Sequence, residues 1–127
     1  MKNLKGSEKQ IAWAEKIVAE AIEKNESDMK FEQSIYDQLK DRPEYALEEK
    51  KMVLRKAVYT YVQAELDEIV SAKDIIEHRN NLKKYVIEKD VDRFLQTIGK
   101  DENVVDNIIE FFAKDGKLNP DDFIRWI

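Results

Sequence analysis

The sequence predicts an all-α fold: an elongated helical N-terminal part with one long helix, followed by a compact C-terminal helical unit. Three observations predict it. Only three glycines and two prolines interrupt 127 residues, while the helix-favouring Glu, Lys, Ala, Leu and Ile recur throughout. Apolar residues make up 43% of the chain and return at helical spacing. Capping residues stand where those apolar stripes begin.

Helix one is expected from Glu8 to about Lys24. Ser7 can cap its first turn, and Gln10 lies where a capping box needs a side chain to reach back. Gly6 frees the entering backbone. Ile11, Ala14, Val18, Ala21 and Ile22 form one stripe, widened by Trp13 and Ile17. Trp13 is expected to be at least half buried and to hold this helix on the core. Asn25 to Asp28 reads as a stop and restart. Helix two then carries Met29, Phe31, Ile35, Tyr36 and Leu39 and ends near Arg42.

Pro43 fits the first turn of helix three, where its missing N–H costs nothing. This helix is read as the long one, to about Val70. Its apolar arc, including Leu54, Val58, Tyr61, Val62 and Leu66, is wide enough for contact on more than one side. A homodimer through it is one expectation. Ser71 opens helix four, with Ile75, Ile76, Leu82, Tyr85 and Val86; as a break it is weak, and a single bent rod is equally consistent.

A second unit begins near Asp90, which divides the chain into residues 1–88 and an acidic unit of residues 89–127. Val91, Phe94, Leu95 and Ile98 make a short helix stopped by Gly99. Asp101 caps the next, with Val104, Val105, Ile108, Ile109, Phe111 and Phe112, closed by Gly116. Asn119-Pro120 opens a last short helix with Phe123 and Trp126. A small core of Phe94, Ile98, Val105, Ile108, Phe112, Phe123 and Trp126 is expected behind the charged surface.

Composition excludes several chemistries. With no cysteine there is no disulfide, thiolate metal site or thiol nucleophile. One histidine, His78, is too little for a structural zinc site, and it reads as an exposed helical residue. Asp115 to Phe123 has the outline of half an EF-hand loop. The first two ligand positions would fall on Phe111 and Ala113, which carry no side-chain oxygen, so a helix–turn–helix connection is expected instead. No phosphate-cradling glycine loop is present. No cofactor, metal site or catalytic residue is assigned. Neither a signal peptide nor a run of roughly 18 apolar residues occurs, so a cytoplasmic protein with no membrane contact is expected.

The net charge is -5, and six basic against ten acidic residues from Glu88 onward account for most of it. Asp92, Asp101, Glu102, Asp106, Asp121 and Asp122 are expected on the outer face of the C-terminal unit, as a contact for a protein partner. Two basic patches, Lys50, Lys51, Arg55 and Lys56, then Arg79, Lys83 and Lys84, are candidates for nucleic acid. They would lie toward opposite ends if helices three and four were antiparallel.

Leu4-Lys5-Gly6-Ser7-Glu8-Lys9-Gln10-Ile11-Ala12-Trp13-Ala14-Glu15-Lys16-Ile17 resembles the opening of a family of small proteins and domains, uncharacterised in activity, from bacteriophages, plasmids and integrated elements. These begin Leu-x-Gly-Ser-x-Lys-Gln-Ile-x-Trp-Ala-Glu-x-Ile. A second landmark, Ser71-Ala72-Lys73-Asp74-Ile75-Ile76-Glu77-His78-Arg79-Asn80-Asn81, matches the family only in outline. Asp74 and Ile75 stand where relatives carry an aromatic, Glu77 replaces their Asp, and Val18 stands where Arg is frequent. The resemblance ends near Leu82. It implies a small accessory protein of a phage or mobile element, in the cytoplasm of a bacterial host. With the acidic C-terminal unit, this gives a non-enzymatic protein that binds another protein, in its sharpest form an inhibitor of a bacterial defence nuclease of the anti-CRISPR type. A nucleic-acid-binding module and a structural or dimerising helical protein are the alternatives. Between the two landmarks, Trp13 is expected near Ile76, and Arg79 paired with Glu15 or bonded to a helix end.

Overall fold

A computed structural model describes residues 3–114 and 117–118 of the chain. The fold is all-α apart from one two-residue strand pair. Helix α1 spans Glu8–Leu39, α2 Ala46–Glu68, α3 Ala72–Glu77, α4 Leu82–Glu88, α5 Val91–Ile98 and α6 Glu102–Phe112.

The start of α1 is as the sequence implies. Ser7 Oγ accepts the Gln10 N–H at 3.2 Å, and the Ser7 N–H donates back to Gln10 Oε1 at 3.0 Å. The helix then runs through the expected stop at Asn25–Asp28 and reaches 32 residues, so helices one and two are one element. No glycine or proline lies between Gly6 and Pro43 to break it. Asn25 does not turn back on its own backbone. It is buried, and its side-chain amide donates to the Tyr59 carbonyl of α2 at 3.2 Å. This satisfies across the helix pair a polar group that would otherwise favour a turn.

Pro43–Tyr45 forms a single 3-10 turn, after which α2 runs for 23 residues. The longest helix is therefore α1, contrary to the expectation for helix three. The two lie antiparallel: Asn25 meets Tyr59, Glu32 meets Arg55, and Tyr36 hydrogen-bonds Glu49.

Helices α2 and α3 are distinct, and the break at Ser71 is real. Ser71 Oγ caps α3 by accepting the Asp74 N–H at 3.2 Å. The break is held by the N-terminal segment. The Lys5 N–H donates to the Val70 carbonyl at 2.7 Å, and the Ala72 N–H donates to the Lys5 carbonyl at 3.0 Å. Gly6 makes this approach workable: its φ is +153°, and a Cβ would meet Ala72 Cβ at 3.1 Å. Expected helix four is in fact two, because the chain turns at residues 78–81 between α3 and α4.

The wide apolar arc of α2 is covered within the chain by α1, α4, α5 and α6. Leu54, Val58, Tyr61, Val62 and Leu66 are all buried there. Phe94 and Ile98 of α5 and Val104 and Ile108 of α6 belong to the same core as Ala14, Val18, Ile75 and Val86. Phe94 meets Tyr61 edge-on, with ring centroids 5.0 Å apart. The described part of residues 89–127 thus shares a core with α2. Its expected separate core is corrected on that point, and Val105 is only partly covered. The side chains of Phe112, Phe123 and Trp126 lie outside the described residues.

Asp90 Oδ1 caps α5 through the Arg93 N–H, and Asp101 Oδ1 accepts the Asn103 N–H at the start of α6. After α6, Ala113–Lys114 pairs antiparallel with Lys117–Leu118, where a helix–turn–helix connection was expected. The last expected helix, from Asn119, falls outside the described residues.

Candidate functional site

The two motif landmarks converge. The backbone pairing of Lys5 with Ser71 brings the start of α1 beside α3. From there the Arg79 guanidinium lies 5.3 Å from the centre of the Trp13 ring. Arg79 Nη1 also donates to the Ile76 carbonyl at 2.8 Å, closing the C-terminal end of α3. Of the two expected roles of Arg79, it takes the helix-end bond. Trp13 is 48% exposed and lies outside the buried core, at its rim.

Beside this contact is a cleft of ≈ 630 Å³ between α1, α2 and the α3–α4 turn. Arg79, Lys83 and Lys84 of the second basic patch line it, and Lys24 joins them from α1. The Lys83 ammonium sits 5.3 Å from the centre of the Tyr59 ring. Burial pushes the Lys83 pKa down; Lys24 and Arg55 add to this, while Asp28 and Glu32 oppose it. Lys84 also forms a 3.7 Å ion pair with Glu88.

The first basic patch does not form a surface with the second. Lys50, Lys51 and Arg55 are partly buried, and only Lys56 is exposed. Arg55 pairs with Glu32 of α1. The patches are nevertheless not at opposite ends: α4 packs on α2 with Lys83 over Tyr59, one helical turn from Arg55.

Asp92, Asp101, Glu102 and Asp106 are all exposed, as expected, and none forms an ion pair among the described residues. Asp121 and Asp122 lie outside the described residues. Glu102 and Asp106 are one turn apart on α6, on the side away from buried Val104 and Ile108. Asp101 and Glu102 also edge a second groove of ≈ 810 Å³ against α2. At its base the buried Glu65 carboxylate pairs with Arg93 at 2.9 Å.

The two grooves use different faces of α2. Val62 and Leu66 line the cleft, whereas Ala57, Thr60, Tyr61, Ala64 and Glu65 line the second groove. At about 100° per residue the middles of these sets fall on opposite sides of the helix.

His78 is not an exposed helical residue. It ends α3, and its ring stacks on Tyr85 at 3.9 Å. Among the described residues no group of His, Cys, Asp and Glu could hold a metal, and no helix is long and apolar enough to cross a membrane.

Sequence reasoning missed Lys24, Asn25, Asn80 and Asn81 as cleft residues. The Asn80-Asn81 pair is a turn signal and was the available clue to a break there. Lys24 and Asn25 carried no local signal, because only the antiparallel packing of α1 on α2 brings them to the cleft. No protein-family model, curated protein or solved structure matches the chain.

Proposed function

We propose that this chain is a non-enzymatic accessory protein of a phage or mobile element that acts by binding another protein through its acidic α5–α6 face. The observation that carries the reading is the separation of charge across α2. Asp101 and Glu102 edge the groove on one side, together with Arg93 and Lys100, and exposed Asp92 and Asp106 belong to the same two helices, while Lys24, Arg79, Lys83 and Lys84 line the cleft on the other. The apolar sides of α5 and α6 are locked into the shared core, so the carboxylates are presented on a rigid support. Such a surface complements a basic channel of the kind that holds nucleic acid, and it would speed encounter with one.

In its sharpest form the partner is a bacterial defence nuclease, inhibited by occupation of its nucleic-acid channel. The motif resemblance of Leu4–Ile17 supports the mobile-element origin. The homodimer reading rested on the wide apolar arc of α2, which the chain's own helices cover.

The test is target cleavage by a purified RNA-guided nuclease, with wild-type protein and with the triple variant Asp101→Lys, Glu102→Lys, Asp106→Lys. Wild type is expected to slow cleavage, and the variant to lose that effect most at low ionic strength. Cleavage unchanged by excess wild-type protein would overturn the inhibitor reading.

A further inference from the structure

Three of the four large apolar side chains that stand exposed among the described residues lie on α1: Trp13, Phe31 and Ile35. At about 100° per residue these three, with Ile17, Lys24 and Asp28, fall within about 60° of one another around the helix. They form one stripe along α1. Ile17, Lys24 and Asp28 border the cleft, with Ala21 at the edge of the stripe. Phe31 and Ile35 continue it past the cleft, 68% and 38% exposed. Arg79 already lies over Trp13, so the open part of the stripe runs from Ile17 to Ile35.

We propose that this stripe is the contact for a second copy of the chain, with the two α1 helices antiparallel about a twofold axis at residue 26. The order of residues along the stripe carries the proposal, because it complements its own reverse. In such a pair, residues equally far from residue 26 on either side stand level with each other. Lys24 then meets Asp28 of the second copy, and the same pair forms again across the axis. Ala21 stands level with Phe31, so a small side chain leaves room for the large exposed ring. Ile17 stands level with Ile35 at each end of the seam.

Charge also fixes the direction. A parallel, in-register pair would set Lys24 against Lys24 and Asp28 against Asp28, which repels. In the antiparallel pair, Asp28 attracts Lys83 of its own chain and Lys24 of the second copy together.

This contact is distinct from a dimer through α2, whose apolar arc the chain's own helices cover. The seam from Ile17 to Ile35 is about 27 Å long. One helix pair of that length buries less than a standard interface, so reversible association in the micromolar range is expected. The acidic groove residues Asp101 and Glu102 lie on the other side of α2 from the cleft. The failure of this contact and the failure of the protein-binding reading are therefore independent.

Sedimentation equilibrium of the full chain at low salt, from about 1 to 500 µM, reads the dimer fraction. Wild type is expected to pass from monomer to dimer across that range. Phe31 is exposed, so Phe31→Glu is expected to fold, and it should weaken the dimer about a hundredfold or more. Lys24→Glu and Asp28→Lys each set like charges level across the axis, twice per dimer, and should each weaken association about tenfold or more. Mixed in equal amounts, these two variants regain both opposite-charge pairs, and a mixed dimer about as stable as wild type is expected. Circular dichroism melts check that each variant is folded. Wild type that stays monomeric at every concentration would overturn the proposal. So would a dimer unmoved by Phe31→Glu, or a mixture of the two charge variants that shows no preference for the mixed dimer.

Discussion

Replacing Phe94 by Ala tests whether the chain has one core or two. Phe94 is 1% exposed and lies in the cluster that also holds Ala14, Val58 and Val86. Truncating a buried Phe removes its transfer free energy and leaves a cavity, at a cost of about 3–5 kcal/mol. The lost edge-on contact with Tyr61 is part of that cost. For a chain of this size each kcal/mol moves the melting temperature by roughly 3–5 °C, so a fall of about 10–20 °C is expected. The shape of the transition matters as much as its midpoint. Because α5 shares its core with α1, α2 and α4, the helical signal should still be lost in one step. The assay is thermal unfolding monitored by far-ultraviolet circular dichroism, with calorimetry as a check on cooperativity. Two transitions, with the larger one unmoved by the substitution, would refute the shared core.

Other perturbations probe the polar joints of the fold. Asn25→Ala removes the amide that donates to the Tyr59 carbonyl and should cost about 1 kcal/mol in urea unfolding. Asn25→Asp, which turns a carboxylate toward that carbonyl, should cost more. Arg93→Ala leaves the buried Glu65 carboxylate without its 2.9 Å partner and should cost about 1–3 kcal/mol. Adding Glu65→Gln to that variant should recover part of the loss in the same assay. Tyr59 and Tyr61 have pKa values raised above the ordinary 10.0, chiefly by burial and then by Glu32 and Glu65 respectively. Their unfolded forms ionise first, so the stability they contribute is present below pH 10.0 and lost as the pH climbs through the folded values. Lys83, shifted down by burial, acts in the opposite sense. In a Lys83→Met background, stability should fall above pH 10.0, and Tyr59→Phe with Tyr61→Phe should flatten that fall.

Helix starts were legible where one side chain decides them. Ser7 with Gln10, Ser71 and Asp101 all cap as their spacing implies, and Asp90, read only as the start of the second unit, caps α5. Helix ends were less legible. Asn25 is a turn former by local chemistry, yet its acceptor lies 34 residues away on α2, so tertiary packing overrides the local preference. Leu82 comes two helical turns after Ile75, and that regular spacing hides the turn at residues 78–81. Phe31 matched an apolar stripe and is 68% exposed, although α2 still meets α1 beside it, where Glu32 pairs with Arg55. The exposure of Asp92, Asp101, Glu102 and Asp106 could be read from charge alone. The cleft could not, because it joins Trp13, Lys24 and Lys83 only after α1 has folded back on α2 and α4 has docked.

The most direct test of the protein-binding role is affinity capture from a bacterial host lysate, with and without nuclease treatment. Wild type, the triple variant Asp101→Lys, Glu102→Lys, Asp106→Lys, and Lys84→Ala would be compared at low and moderate salt. The expected result is a protein retained by wild type and by Lys84→Ala, and lost by the triple variant most completely at low salt. Wild type and Lys84→Ala should show the same thermal stability within about 0.5 kcal/mol, since exposed charges contribute little to folding, while the triple variant should lose about 0.5–2 kcal/mol with the Asp101 cap of α6 and remain folded. Equal capture by the triple variant, or capture that disappears when nucleic acid is digested, would contradict binding of a protein through the acidic α5–α6 face.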